Sequence, residues 1–487
     1  MSEITNLNPK ALWENFYSLT QIPRPSNHED RIQEFMFNFG KELGLETIKD
    51  EVGNIIIRKP ATPGMEDRQG VILQGHLDMV PQKNSDKEHD FVNDPIETLV
   101  DGEWVTANGT TLGADNGIGV AAAMTVLASK DIEHGPIEAL LTATEETGMD
   151  GANGLKPGIL QGDILLNTDS EDEGELYVGC AGGEDVTGTF AFETTEVPAG
   201  SKAYKINITG LKGGHSGMDI PLGRGNANKI FFRLLKEAYN KCQARLAWID
   251  GGSLRNAIPR EAFAVVVVPE ANGACLEEVV ATIFEKAKAE LAATEPNMLI
   301  EAVATELPES LIDENTQVNL TNVVRACPNG VIRMSDSMPG LVETSCNMAI
   351  VKSDADKKVI NICILMRSSV DTAKQSLGSR LESLFTLAGA TTELSGAYSG
   401  WQPNMESPIL KTMQGVYEEH FGKTPDIKAI HAGLECGILS GPYPNWDMIS
   451  FGPTIRFPHS PDEKVNIETV EKFWNFMVLT LKNIPKK

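Results

Sequence analysis

No stretch of this chain approaches the roughly 18 consecutive apolar residues that suggest a membrane-spanning helix. The first ten residues, M-S-E-I-T-N-L-N-P-K, lack the basic region and apolar core of a secretory signal, so export is not expected. Cysteine is scarce: seven residues, odd in number and scattered, with no C-x-x-C. Cys363 in I-N-I-C-I-L-M lies in an apolar run, the setting of a free, buried thiol in a reducing compartment. A cytoplasmic protein is the expectation. Positive charge is also short, with Lys+Arg 42 against Asp+Glu 68 and a net charge of −26. A nucleic acid or an anionic membrane wants a basic face, so neither is expected as a partner. The acidic excess is compatible with cation binding, although most of it is solvated surface.

What is present is ordinary globular material, 41% hydrophobic and 23% charged. A length of 487 residues exceeds what one core usually serves, so two domains are expected. Up to about Gly182 the pattern alternates short apolar strands (46–51, 55–58, 71–75, 137–144, 164–167) with helical spacing at 9–22, 27–43 and 116–130. That alternation predicts an α/β domain with a mainly parallel sheet flanked by helices. The polar, turn-rich residues 81–110 read as a long loop. From Thr187 the strands alternate as half-buried antiparallel strands do. Two rounds of helix and strand follow, which suggests two subdomains, although no sequence repeat accompanies them. The α/β texture resumes near Ala397. The expected organisation is a discontinuous catalytic domain, 1–184 and 397–487, carrying an inserted α+β lid domain, 185–396.

The chemistry starts at Val71–Val80, V-I-L-Q-G-H-L-D-M-V. Side chains two apart on an extended segment face the same way, so His76 and Asp78 emerge together at a strand end. Strand carboxyl ends are where open α/β sheets bind ligands. Alone, the pair is either a satisfied polar contact or a metal ligand with its orienting carboxylate. Further candidates end or follow later strands: Asp115 in L-G-A-D-N-G, Glu145 and Glu146 after I-E-A-L-L-T-A-T, Asp169 after D-I-L-L-N-T, and His459 in F-P-H-S-P-D. Two histidines with several carboxylates and no thiolate suit zinc, cobalt or manganese. If Asp115 bridges, His76, Asp115, Glu146, Asp169 and His459 serve two metals, with positions open for a water, as a two-metal hydrolase needs. Glu145 then stands beside the metals as a general base.

These motifs, with G-G-H-S-G and H-A-G-L-E-C-G, span essentially the whole chain. Together they resemble the co-catalytic zinc metallopeptidases related to carboxypeptidase G and aminoacylase, most closely their branch acting on aminoacyl-histidine dipeptides. The resemblance implies that Asp115 bridges two zinc ions, for which Co2+ or Mn2+ could substitute. Glu146 and His459 would hold one, His76 and Asp169 the other. Asp78 would orient His76, and Glu145 would act as base and then acid. Relatives often carry an aspartate after the bridging one, where this chain has Asn116, and their peptide between the two is cis; the same is expected here. In the lid, His215 resembles the histidine that donates to the tetrahedral intermediate. Asn256 and Arg367 resemble residues that bind the intermediate and the substrate carboxylate, a task for which the guanidinium fork is suited. Glu435 is a candidate at the site edge.

The implied activity is hydrolysis of dipeptides, Xaa-His and carnosine-like substrates among them; the alternative is an N-acyl amino acid deacylase using the same site. Relatives with a short lid dimerise through it, which makes a homodimer the implied assembly, while the longer lid here would let His215 act within its own chain. The run Gly117–Ala122 fits a G-x-G-x-x-A dinucleotide pattern but follows a polar loop instead of a strand, so it is discounted. His28, His89, His134 and His420 read as ordinary surface residues.

Overall fold

The structure, a computed structural model, describes residues 3–487. They form two compact units. The first comprises the chain up to Cys180 with Trp401–Ala429 and Leu434–Lys487, and the second Ala181–Gly400 with Ile430–Gly433.

The first unit is built on an eight-stranded sheet. Its spatial order is Glu46–Lys49, Ile55–Lys59, Ile137–Thr142, Val71–His76, Ile164–Asn167, Asp447–Ser450, Glu175–Cys180 and Asp426–Ile430. Only the centre is parallel: Val71–His76 pairs with Ile137–Thr142 and Ile164–Asn167, and Ile164–Asn167 with Asp447–Ser450. The first two strands and Glu175–Cys180 join antiparallel. The sheet is therefore mixed, with a parallel core. Every residue of Val71–His76, Ile137–Thr142 and Ile164–Asn167 is buried, which is why these strands read as largely apolar instead of alternating.

Helix Ala114–Ala128 is buried along almost its whole length and packs on Val71–His76. Its small residues permit that approach. A Cβ on Gly117 would lie 2.7 Å from Arg24 Nη2, and one on Gly119 would lie 2.1 Å from Thr168 Oγ1. Close packing thus accounts for the glycines of the dinucleotide-like run.

Residues 81–110 are not wholly loop. Thr98–Asp101 and Trp104–Ala107 form a hairpin, extended into a four-stranded sheet by Lys464–Asn466 and Ile455–Arg456. The partner strand is distant in sequence, and the hairpin strands are short and only half buried, so local pattern did not mark them.

The second unit contains an antiparallel sheet of nine strands in which both rounds of helix and strand take part. They share one buried cluster that runs from Val186 and Phe190 through Phe231, Val266 and Leu320 to Phe385. Strand Ala262–Pro269 shows the two-residue period directly: Ala262, Ala264, Val266 and Val268 enter that cluster, while Val265 and Val267 join a smaller one. The cysteine expectation needs a correction. Cys242, ending helix Ala227–Cys242, and Cys275, in the first turn of Gly273–Glu290, form a disulfide with Cα atoms 5.8 Å apart. Their 33-residue separation carries no motif, so only the packing of the two helices pairs them. Among the described residues, no helix is long and apolar enough to cross a membrane.

Candidate metal centre

The parallel strands deliver their polar residues to one edge. His76 is the last residue of Val71–His76 and lies opposite Thr142, after which Ala143 and Thr144 lead to Glu145 and Glu146. Gln74 lies opposite Asn167, so Asp169, two residues on, comes level with His76. Asp115 sits at a kink in the first turn of Ala114–Ala128, where the Asp115–Asn116 peptide is cis. His459, at φ 59°, follows the short strand Ile455–Arg456.

The five candidate ligands converge. His76 Nε2 is 3.0 Å from Asp115 Oδ1 and 3.2 Å from Asp169 Oδ1. His459 Nε2 is 3.2 Å from Asp115 Oδ2 and 2.9 Å from Glu146 Oε2. Asp115 thus turns one oxygen to each imidazole, and each imidazole has its own further carboxylate. Ligand atoms of His76, Asp115 and Glu146 all lie within 4.8 Å of one another.

Asp78 is completely buried and reaches the other side of His76. His76 Nδ1 is 3.1 Å from the Asp78 carbonyl oxygen and 3.3 Å from its Oδ1, so Nε2 is the nitrogen left for a ligand. The same carboxylate accepts from the backbone N–H of Glu145 (3.0 Å) and Glu146 (3.2 Å), and from Ser26 Oγ (2.7 Å). One side chain therefore aims His76 and holds the turn that carries both glutamates.

The electrostatics favour positive charge at the centre. Burial alone would lower the basicity of His76, but Asp169, Asp115 and Asp78 raise it well above the usual histidine value. Hydrogen bonds to Asp115 and Glu146 push His459 up to about 11. Asp115 is opposed by burial, yet the two imidazoles hold it below the usual carboxylate range. Burial, reinforced by Asp115 and Glu435, raises Asp169 to about 7. Burial is also the main reason that the Glu145 carboxyl lies well above its ordinary value, with Asp169, Glu435 and Glu146 adding to it.

The donor set fits divalent cations. Glu146 Oε1 is buried and accepts no hydrogen bond, an arrangement that costs free energy unless a cation meets it. The donors are imidazole and carboxylate, with no thiolate among them, as in zinc, cobalt or manganese sites.

In the second unit, Arg367 is the last residue but one of strand Val359–Ser368, pairs across to Gly183 and is buried. Its Nε donates to Ser216 Oγ (3.2 Å) and its Nη1 to Tyr398 Oη (2.9 Å). His215 Nδ1 accepts from the N–H groups of Gly217 and Met218, which leaves the ring proton on Nε2, 3.4 Å from Arg367 Nη2. Burial, and then the Arg367 charge, lower the His215 pKa. Two donor groups 3.4 Å apart suit an anionic oxygen. Asn256 is exposed; its carbonyl accepts from Ser216 N–H (2.9 Å), beside the bridge of Gly214–His215 to Ala257–Ile258.

Glu435, in the first unit, is wholly buried and accepts from Gln74 Nε2 (2.5 Å) and Thr142 Oγ1 (2.8 Å). Burial raises it to about 7.

Sequence reasoning missed three groups. His431, at Nε2 2.7 Å from Ser345 Oγ and lowered to about 3 by burial and Arg367, was visible only as the first letter of H-A-G-L-E-C-G. Arg24 lies in P-R-P-S, between the helical segments at 9–22 and 27–43, where no spacing marks it. Glu463 was not singled out at all, yet its buried carboxylate accepts from four consecutive N–H groups, Leu112 to Asp115 (2.8–3.3 Å). Its spacing of four residues after His459 was the one available signal.

Residues 72–483 match the model of peptidase family M20/M25/M40. Over 489 residues, covering all of both chains, the sequence is 50% identical to the cytosol non-specific dipeptidase of Escherichia coli (strain K12). Among solved structures, aminoacylhistidine dipeptidase from Vibrio alginolyticus is similar with a TM-score of 0.94 at 50% identity, over 100% of this chain and 99% of that one. An aminopeptidase from Bacillus cereus shares the fold, with a TM-score of 0.57 at 15% identity over 98% and 99% of the two chains.

Proposed function

We propose a two-cation mechanism for this chain, which belongs to peptidase family M20/M25/M40 and is a dipeptidase, with Xaa-His dipeptides, carnosine-like ones included, as its substrates. The observation that carries it is Asp115 presenting Oδ1 to His76 and Oδ2 to His459, with Asp169 and Glu146 outside each imidazole. In this reading His76 and Asp169 would hold one cation, Glu146 and His459 the other, and Asp115 would serve both. Zinc is the proposed metal, with Co2+ or Mn2+ as substitutes. When bound, the cations supply the positive charge that polarises a scissile carbonyl and acidifies water.

The chain's own groups do the rest. Glu145, whose carboxyl binds a proton more tightly than an ordinary glutamate, takes the proton of the attacking water and returns it to the leaving amine. Asp78 keeps the His76 proton on Nδ1 and the glutamate turn in place. Arg367 receives the substrate carboxylate, and His215 Nε2–H and Asn256 donate to the developing oxyanion. Glu435 is assigned to substrate binding at the site edge. A cytoplasmic location and a homodimer complete the proposal; sedimentation analysis reads the second.

A substrate panel combined with metal analysis tests the reading. Xaa-His dipeptides are expected to be hydrolysed, with two zinc per chain found by mass spectrometry. Faster turnover of N-acetyl amino acids than of any dipeptide would assign the deacylase reaction instead. Asp78→Asn is expected to keep both metals while lowering kcat about 10- to 100-fold, the usual cost of losing a partner that orients a ligand. Loss of one metal from that variant would show that Asp78 coordinates directly.

A further inference from the structure

Residues 24–29, R-P-S-N-H-E, precede the region matched to the family and belong to neither flanking helix, Lys10–Thr20 or Asp30–Glu42. The backbone here lies alongside the turn after His76: Met79 N–H donates to Arg24 O (3.1 Å) and Ser26 N–H to Met79 O (3.2 Å). Those two bonds would be enough to dock the segment. Its side chains do something more specific.

Arg24 is 2% exposed. Its Nη1 donates to the carbonyl oxygens of Leu77 and Asp78, both at 3.0 Å, and its Nη2 to Gly113 O at 2.5 Å. One planar group thus joins the turn bearing His76 and Asp78 to the turn bearing Asp115. Gly113 makes room for it, since a Cβ there would lie 2.6 Å from Nη2. Ser26 Oγ donates to Asp78 Oδ2 at 2.7 Å. Glu29, also buried, accepts from both the N–H and the Oγ1 of Thr144, each at 3.0 Å. Thr144 immediately precedes Glu145 and is held at φ 55°, a left-handed conformation that a β-branched residue rarely adopts. Burying a guanidinium is costly unless its donors are well used, and here Nη1 and Nη2 both end on ligand-bearing turns.

We propose that Arg24, Ser26 and Glu29 are positioning residues that set the spacing of the three turns carrying His76, Asp115 and the Glu145–Glu146 pair. The inference rests on the metal-centre reading above. The three side chains act through backbone carbonyls, Asp78 and Thr144, and none of them needs to touch substrate.

The test uses full-length Arg24→Lys, Ser26→Ala, Glu29→Ala and Glu29→Gln beside the wild type. Three quantities are read: zinc affinity by chelator competition, kcat and KM on a dipeptide, and the melting temperature. Arg24→Lys, Ser26→Ala and Glu29→Ala are expected to lose about 10- to 100-fold in zinc affinity or in kcat, with KM changed by less than about threefold. Glu29→Gln, which retains an acceptor oxygen for Thr144, is expected to recover most of that loss. Zinc affinity and kcat per folded molecule within about twofold of wild type in both Ser26→Ala and Glu29→Ala would overturn the inference, whatever their melting temperatures. Arg24→Lys tests the bridge only if it folds, so the Ser26 and Glu29 variants decide. The wild type is the control for the underlying reading: if it binds no zinc, that reading falls and this inference with it. If it binds zinc and the variants are unaffected, only this inference falls.

Discussion

Glu145→Gln is expected to lower dipeptide turnover by about 10²–10⁴-fold, the range typical of a lost general base, with both cations still bound. Glutamine has nearly the same shape as glutamate but cannot accept a proton from water at neutral pH. The structure separates the two neighbouring glutamates: Glu146 Oε2 lies 2.9 Å from His459 Nε2, whereas Glu145 makes no ion pair with either imidazole. The Glu145 backbone is anchored by Asp78 Oδ1, and nothing in the exchange disturbs that bond. Burial, with Asp169, Glu435 and Glu146, raises its pKa well above that of an ordinary glutamate, as strongly perturbed groups at functional sites often are.

A second readout follows from the same shift. A carboxyl with a raised pKa in the folded state binds its proton more tightly there than in the unfolded chain. Stability therefore falls as pH rises from the unfolded value through the folded one, and above that window the ionised carboxylate opposes folding. Glu145→Gln removes the opposition, so the metal-free variant is expected to melt no lower than metal-free wild type at neutral pH. Turnover above about a hundredth of the wild-type rate would remove the general-base role.

Asp115→Ala is expected to lose both cations and with them all measurable hydrolysis, whereas Asp169→Ala should lose only one. The difference lies in the geometry. Asp115 faces His76 with Oδ1 and His459 with Oδ2, while Asp169 faces His76 alone. Metal stoichiometry by mass spectrometry on folded protein reads this directly. Two cations retained in Asp115→Ala would show that this carboxylate does not bridge, and a mechanism built on separate sites would have to replace the present one. Restored turnover on adding excess zinc to Asp169→Ala, without the same effect in Asp115→Ala, would support the division further.

Much of the centre was legible because a strand carries a local signature. Apolar runs at 71–73, 139–141 and 164–166 mark strands buried on both faces, and the polar residues that follow, Gln74, Thr142 and Asn167, mark the approach to their ends. Once these strands are parallel neighbours, their ends lie together. Arg24, Glu29 and Glu463 left almost no such mark. Each binds the backbone of a turn distant in sequence, and a backbone N–H or carbonyl looks the same in every residue. The hairpin Thr98–Ala107 and the Cys242–Cys275 disulfide were missed for a related reason, since the partners that define them are brought in by the fold.

The role of Asp78 marks the division. By itself the sequence determined that His76 and Asp78 leave one strand end together, that acids follow the neighbouring strands, and that no thiolate competes. These follow from side-chain period and residue type, which are local properties. Only the tertiary structure decided that Asp78 turns to Nδ1 and the glutamate turn, while Nε2 meets Asp115 and Asp169. The partner of each nitrogen depends on strand register and on segments as far apart as Ser26 and Glu463, which are set only when the whole unit packs.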